Sequence, residues 1–504
     1  MRLLSFISLF ILLPPAAMPQ QAPSDPRLLD RVREQSRLID DLPQQAWQNP
    51  AAHQWQHHHS LSQVASGVQL RDETQAVVTQ LGDHDSQWTF DAATHLKHRS
   101  STLWGAAHYD NGSTRGIAWN ETSDLDMVYP YVMADSAPLA PLRHERYTFG
   151  GGYADHHGRL HWGGEVNYEA GHYYRNVDPR PRNITARLTA KGGAGWMVTE
   201  RYLATLGVEY VKYKQTNDVA FYSELGKEKL FHLTGLTNDY GRFAGAGDES
   251  YYHGHQWTVM LGMIPVDRQG FFATARAERL TIDKVLTSLN KLPMTHITHT
   301  AIHTEAAWIH DSWGVCARMD ASRRVGREHI FGDPASAVYP QIAALDMFHD
   351  NRVNAALEGL WMHSWQQFDL DVKPTMNYGH RNTIYGDPPC RGRINDLTAA
   401  LTLRGGWRTT GTYSTLTLGA AWTHPIDSEL TLTGVKTELN GLQRVLVSDH
   451  HFASNNSTAV GARLAVNIAL GQRFALQPAV GWCFTAYASD TRAHRINAHV
   501  ALIF

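Results

Sequence analysis

The 504-residue chain has only three cysteines, Cys316, Cys390 and Cys483, too few and too scattered for a disulfide scaffold. It has little excess charge: the net charge is -3 and the pI is near 6.9. A nucleic-acid partner would require a strongly basic face, so none is expected. Past the N-terminus no apolar run approaches the roughly 18 residues of a membrane helix. The mean hydropathy of -0.36 also excludes a bundle of such helices. The chain contains no G-x-S-x-G elbow, no H-E-x-x-H helix and no phosphate-cradling glycine loop. No enzymatic role is therefore expected. The chain does hold 43% hydrophobic and 10% aromatic residues, which excludes a disordered polymer.

Arg2, the apolar run Leu3 to Leu13, and then Pro14, Pro15, Ala16 and Ala17 read as a secretory signal over residues 1–20. No cysteine follows it before Cys316, so a lipoprotein anchor is not expected. Residues 21–62 are expected to form a periplasmic segment or plug. Within them Ser24 is placed to cap a short helix, with Pro26 in its first turn and Leu28, Leu29, Val32 and Leu38 on one face.

From Leu160 onward the side chains alternate. Leu160, Trp162, Val166 and Tyr168 occupy one face, and His161, Glu165, Asn167 and Glu169 the other. The same period of two runs through Phe368, Leu370, Val372 and Met376 against Asp369, Asp371 and Lys373, and through Leu416, Leu418 and Trp422, and Phe474, Val480 and Trp482. A membrane barrel strand needs about 9 to 11 such residues, apolar outward and polar or small inward.

The connections alternate as well. Short turns at 97–101, 156–158, 267–269, 310–312, 363–365, 408–411 and 470–471 face longer segments at 110–144, 215–253, 323–351, 379–393 and 425–454. Short periplasmic turns opposite long external loops mark an outer-membrane barrel. Residues 63–504 are therefore expected to form a transmembrane antiparallel β-barrel of about eighteen strands, with sixteen or fourteen left open. The first strand lies near Gln63 to Arg71 and the last runs from Ala493 to Phe504. In the last, Ile496, Ala498, Val500, Leu502 and Phe504 make one apolar row, resembling the C-terminal strand read by the barrel-assembly machinery. Tyr173, Tyr174, Tyr210, Tyr213, Trp257 and Trp308 suit the interfacial girdles. Pro374 and Pro478 fall inside predicted strands, where each removes a ladder donor and predicts a local weakness or bulge.

The segment from Ser101 (STLWGAAHYDNGSTRGIAWNE), the hairpin Thr148 to Glu169 (TFGGGYADHHGRLHWGGEVNYE) and the QPAVGW stretch from Gln477 resemble a family of Bacteroidota outer-membrane β-barrel proteins of unassigned function. The resemblance implies a role around iron-complex or xenosiderophore uptake, beside a TonB-dependent receptor and a surface lipoprotein. It supplies no catalytic or binding residues. Asn49-Pro50-Ala51-Ala52 is similar to the Asn-Pro-Ala element of the long-chain fatty-acid channel superfamily, which would imply a fourteen-stranded barrel with an N-terminal hatch; a simple Asx-Pro turn is the alternative. The chain has no plug domain of about 130 residues and is too short for about 22 strands, so it is not itself expected to be a TonB-dependent receptor.

Twenty-nine histidines are many. His299, His303 and Glu305 share one face of a predicted strand and are the candidate metal ligands, His303 and Glu305 being adjacent at about 7 Å. His57-His58-His59, His156-His157 and His450-His451 are expected to be solvated, the last pair in an external loop or strand end. Asp369, Asp371 and Lys373 read as a lumen charge ladder rather than an acid/base pair. Together these features point to an outer-membrane barrel of the transport class, a channel or accessory component for a small solute. A membrane-embedded hydrolase and a docking barrel for a partner protein are the alternatives, and no cofactor is implied.

Overall fold

A computed structural model describes residues 27–136, 140–223, 229–243, 249–334, 338–488 and 490–504. The expected signal over residues 1–20, Ser24 and Pro26 lie outside the described residues. Eighteen antiparallel strands make one closed sheet in which each pairs with the barrel strands before and after it. The first strand, Leu61–Glu73, pairs with the last, Arg492–Ile503, from Gln63 opposite Ile503 to Glu73 opposite Ala493. The sheet therefore has no free edge.

The predicted alternation decides which side chains face out. Along Tyr202–Ala220, Leu206 and Val208 are exposed while Leu203, Glu209 and Val211 are buried. In the last strand Val500 is 51% exposed and Ala501 1%. Apolar rows turned outward around the barrel exceed any patch a water-soluble monomer tolerates and belong in lipid. Among the described residues no helix is long and apolar enough to cross a membrane. Trp257 and Trp308 lie on this outer surface, but Tyr213 points inward and is buried. It packs with in-folded loop residues and not in a girdle.

The eighteen strands fall where the hairpin pattern places them, which removes the sixteen- and fourteen-stranded alternatives, including the count implied by Asn49-Pro50-Ala51. One expected loop is absent. Residues 379–393 are mostly strand, with Phe368–Tyr385 and Cys390–Arg408 joined by a four-residue connection. Cross-strand pairs such as Arg393 with Asp427, 2.9 Å, hold these extensions together. Pro374 and Pro478 make no bulges: ladder pairs are skipped beside each, and the register resumes unchanged. His450 and His451 are on a helix, α3 (Asn440–Ala453), not in a loop or strand end.

At the short-turn mouth the chain enters as helix α1 (Leu28–Gln35), whose N-cap is Arg27, followed by 3-10 turns at Leu38–Asp41, Ala46–Gln48 and Pro50–Trp55. Leu28, Leu29 and Val32 form the buried side of α1 and pack on Tyr413, Ala475 and Ile503 of the wall. Leu42, Ala46, Trp47 and Ala52 pack on Leu203, Ile264, Phe272 and Leu360. Burying a Leu or Val side chain fully contributes about 1.5–3 kcal/mol, so this segment is bound to the inner wall.

Candidate functional site

The seat of the N-terminal segment is built from glycines. Gly163, Gly193 and Gly207 stand directly opposite one another on three adjacent strands. A Cβ on Gly193 would lie 1.9 Å from Asn49 Oδ1, and one on Gly163 would lie 2.6 Å from the backbone of Pro50. The missing side chains let Asn49-Pro50-Ala51 lie flat on the wall, where Asn49 Oδ1 accepts the Ala51 N–H at 3.0 Å and starts the turn Pro50–Trp55.

Charge fixes the other end of the segment. Arg33 meets Asp369 at 2.5 Å and Arg37 meets Asp371 at 2.6 Å. Residues four apart near a helix end are spaced about 6 Å, and residues two apart on a strand about 7 Å, so the two pairs match. Arg404, itself buried, holds Asp371 at 3.2 Å from the wall side. Asp30 pairs with Arg408 at 2.5 Å. Arg318 donates to the carbonyls of Asp41 and Leu42, at 2.7 and 2.5 Å. The Asp369–Asp371 ladder thus anchors the entering chain, and Lys373 pairs instead with Glu358 at 3.2 Å. Burial pushes the Asp40 carboxyl up to about 6 despite the nearby Arg268, and burial with repulsion from His95 holds the His57 imidazole down to about 3.

The opposite mouth is occupied by residues 116–136, which include the short helix α2 (Leu125–Val128). Glu121 O accepts from Asn183 and Asn217, at 2.7 and 3.0 Å, Tyr131 O from the Tyr252 hydroxyl at 2.7 Å, and Asp126 O from Arg324 at 2.7 Å. These wall residues sit on several different strands, so the loop reaches across the barrel. Trp119, Val128 and Val132 form a core with Phe231 and Leu233 of another loop and Leu439 and Leu442 beside and within α3. Glu121 is buried against Arg175 at 3.1 Å, and burial pushes its carboxyl up to about 7.

The candidate ligands share the lumen face but have different partners. His303 Nδ1 is 2.5 Å from Asp320, and its Nε2 is 3.8 Å from Glu278. His299 lies 3.9 Å from the same Glu278 oxygen, whereas Glu305 is taken by Arg318 at 2.8 Å and by the Gln45 N–H at 3.2 Å. Among the described residues no three His, Cys, Asp or Glu side chains are grouped to hold a metal ion. Within His57-His58-His59 the expectation of a solvated tract fails for His57, which packs edge-on against His95 at 5.0 Å. His156 stacks on His161 at 5.1 Å, while His157 is exposed. Neither the glycine row nor Arg33 in α1 and Arg37 just after it was expected from the sequence. The paired spacings Arg33/Arg37 and Asp369/Asp371 were the available signal.

The fold defines an eighteen-stranded antiparallel β-barrel with segments of its own chain seated in both mouths. The chain belongs to a family of unknown function, DUF6850, which matches residues 50–504. No curated protein matches it. Among solved structures it is similar to a mutant of the ferric enterobactin receptor PfeA from Pseudomonas aeruginosa, at 8% identity and TM-score 0.40, covering 88% of this chain and 80% of that one. The ferric preacinetobactin receptor BauA from Acinetobacter baumannii gives the same values. A bacterial polysaccharide outer membrane secretin is 10% identical with TM-score 0.35, over 89% of this chain and 98% of that one. At these scores the likeness is confined to a large barrel.

Proposed function

We propose that this protein is an outer-membrane barrel of the transport class, a channel or accessory component for a small solute, held shut by its N-terminal segment. The observation that carries the reading is the seating of Arg33 and Arg37 on Asp369 and Asp371. Buried ion pairs fix position more than they add stability, which suits a latch that must release. Residues 21–62 act as the plug, 63–504 as the pore wall, and the row ending in Phe504 as the signal for barrel assembly. The reading gives the protein no catalytic role. From the family resemblance we further propose an iron complex as the solute, with a TonB-dependent receptor and a surface lipoprotein as neighbours.

Conductance in planar bilayers tests the latch. Wild-type protein should conduct weakly, and Asp369→Asn combined with Asp371→Asn should open larger and longer-lived currents. If trypsin then reaches the N-terminal segment of the variant and conductance does not rise, a docking barrel replaces the channel reading. Normal growth of a deletion strain on every ferric-siderophore and haem source would end the iron proposal alone.

A further inference from the structure

On the outer wall the apolar rows of three strands end in a cation, at the end away from the short turns. Along Gly270–Leu286 the outward side chains Phe271, Ala273, Ala275 and Ala277 are followed by Arg279, and along Trp313–Phe331 the row from Trp313 to Ala321 is followed by Arg323. Trp313 and Arg323 are ten residues apart. At a strand tilt of about 40° that is a rise of about 25 Å, the height of a barrel's lipid-facing band. Along Tyr202–Ala220, Lys212 follows Leu206, Val208 and Tyr210 in the same way. All three cations are exposed, and they stand where hydrocarbon would give way to headgroups.

Arg279 and Arg323 are both directly opposite Thr300 of the strand between them, so their Cα atoms are about 10 Å apart and both guanidiniums can reach a group seated over Thr300. No carboxylate answers them. The outward neighbours of Arg279 are Trp257, Thr300, Ala277 and Thr281, and those of Arg323 are Thr300, Asn351, Ala321 and Val325. Among the described residues neither arginine, nor Lys212, makes a hydrogen bond or an ion pair. The nearby acids are already matched, Asp283 with His296 at 2.7 Å and Asp346 with Arg327 at 2.6 Å. A planar guanidinium pairs with phosphate through two parallel hydrogen bonds, which an ammonium cannot do. Below the arginines Ala277, Ile302 and Ala321 stand opposite one another, an apolar strip continuous with the charged one.

We propose that this face binds the phosphorylated headgroup of an outer-leaflet lipid. Arg279 and Arg323 clamp one phosphate over Thr300, Lys212 supplies a further cation two strands away, and the acyl chains run down over Ala277, Ile302 and Ala321. The site rests on the outer-membrane reading above and is independent of whether the lumen conducts.

The test is native mass spectrometry of the detergent-folded full chain titrated with monophosphoryl lipid A. Saturable retention of the lipid is expected. The same lipid without its phosphate should not be retained, and excess inorganic phosphate should not displace the bound one. Arg279→Gln with Arg323→Gln should weaken retention about ten-fold or more, and Arg279→Lys with Arg323→Lys should restore part of it. Arg391→Gln with Arg393→Gln removes two charges elsewhere on the wall and should bind as wild type. Heat-modifiable migration on gels reports the fold of each chain. Folded wild type that retains no lipid, retention that the Arg279/Arg323 glutamine variant leaves unchanged, or equal loss in both glutamine variants overturns the proposal. Saturable binding of a poly-glutamate peptide with no lipid retained assigns the face to an acidic protein and overturns it too. A wild-type chain that never shows heat-modifiable migration overturns the outer-membrane reading itself, and this site with it.

Discussion

The backbone amides of Ser62 and Phe504 each donate to the other's carbonyl at 2.9 Å, tying the last residue to the start of the first strand. One step inward, Ile503 is buried against Leu28, Leu29 and Val32 of α1. Barrel closure and plug seating therefore meet at one place. Ile503→Ala should lower stability by about 2–5 kcal/mol in urea titration while leaving a closed barrel. Removing residues 502–504 should abolish heat-modifiable migration on gels. A truncated chain that still migrates as folded would show that closure does not depend on this seam.

Gly193→Ala should unseat the N-terminal segment, because the new Cβ and Asn49 Oδ1 cannot occupy the same space. Its neighbour Gly192 offers a control, since a Cβ there meets nothing within 4 Å. We expect faster tryptic cleavage between Arg27 and Arg37 and larger bilayer currents for Gly193→Ala, and wild-type behaviour for Gly192→Ala. Equal cleavage rates in the two variants would remove the glycine row from the seating mechanism.

Helix α3 is tied to the first external connection by Asp449, whose carboxylate accepts the Thr79 N–H at 3.2 Å and its hydroxyl at 2.9 Å. Burial outweighs these bonds and raises the carboxyl to about 6, against about 3.9 in an unfolded chain. The docked helix thus holds the proton more tightly than the released one. Docking is strongest below about pH 4, weakens as pH rises from about 4 to about 6, and then levels off. Amide hydrogen exchange over Asn440–Ala453 should speed up across that window in wild type and much less in Asp449→Asn. Comparing the two chains cancels contributions from elsewhere on the helix. Identical pH profiles would refute the assignment to Asp449.

The strand pattern was legible because alternation is local: each residue in the membrane faces lipid or lumen, and the sequence records which. Beyond the membrane that record fades. Residues 379–393 have no lipid-facing row, so they read as loop, although backbone pairing and contacts such as Arg391 with Glu429 at 3.7 Å carry the sheet onward. The enclosure of His57 escaped notice for a related reason. His57 is polar in sequence and enclosed in space, because its ring packs against His95 of the wall.

The sequence by itself determined that about eighteen strands follow one another antiparallel and which face most of their side chains present, since these follow from a two-residue period and the positions of short turns. Tertiary structure alone decided what the lumen holds. Arg33 and Asp369 are 336 residues apart, Asn49 reaches Gly193 across 144 residues of chain, and Glu305 faces Arg318 and Gln45 instead of His303. Such pairings depend on how a closed sheet brings distant strands around one axis, and no local period encodes that.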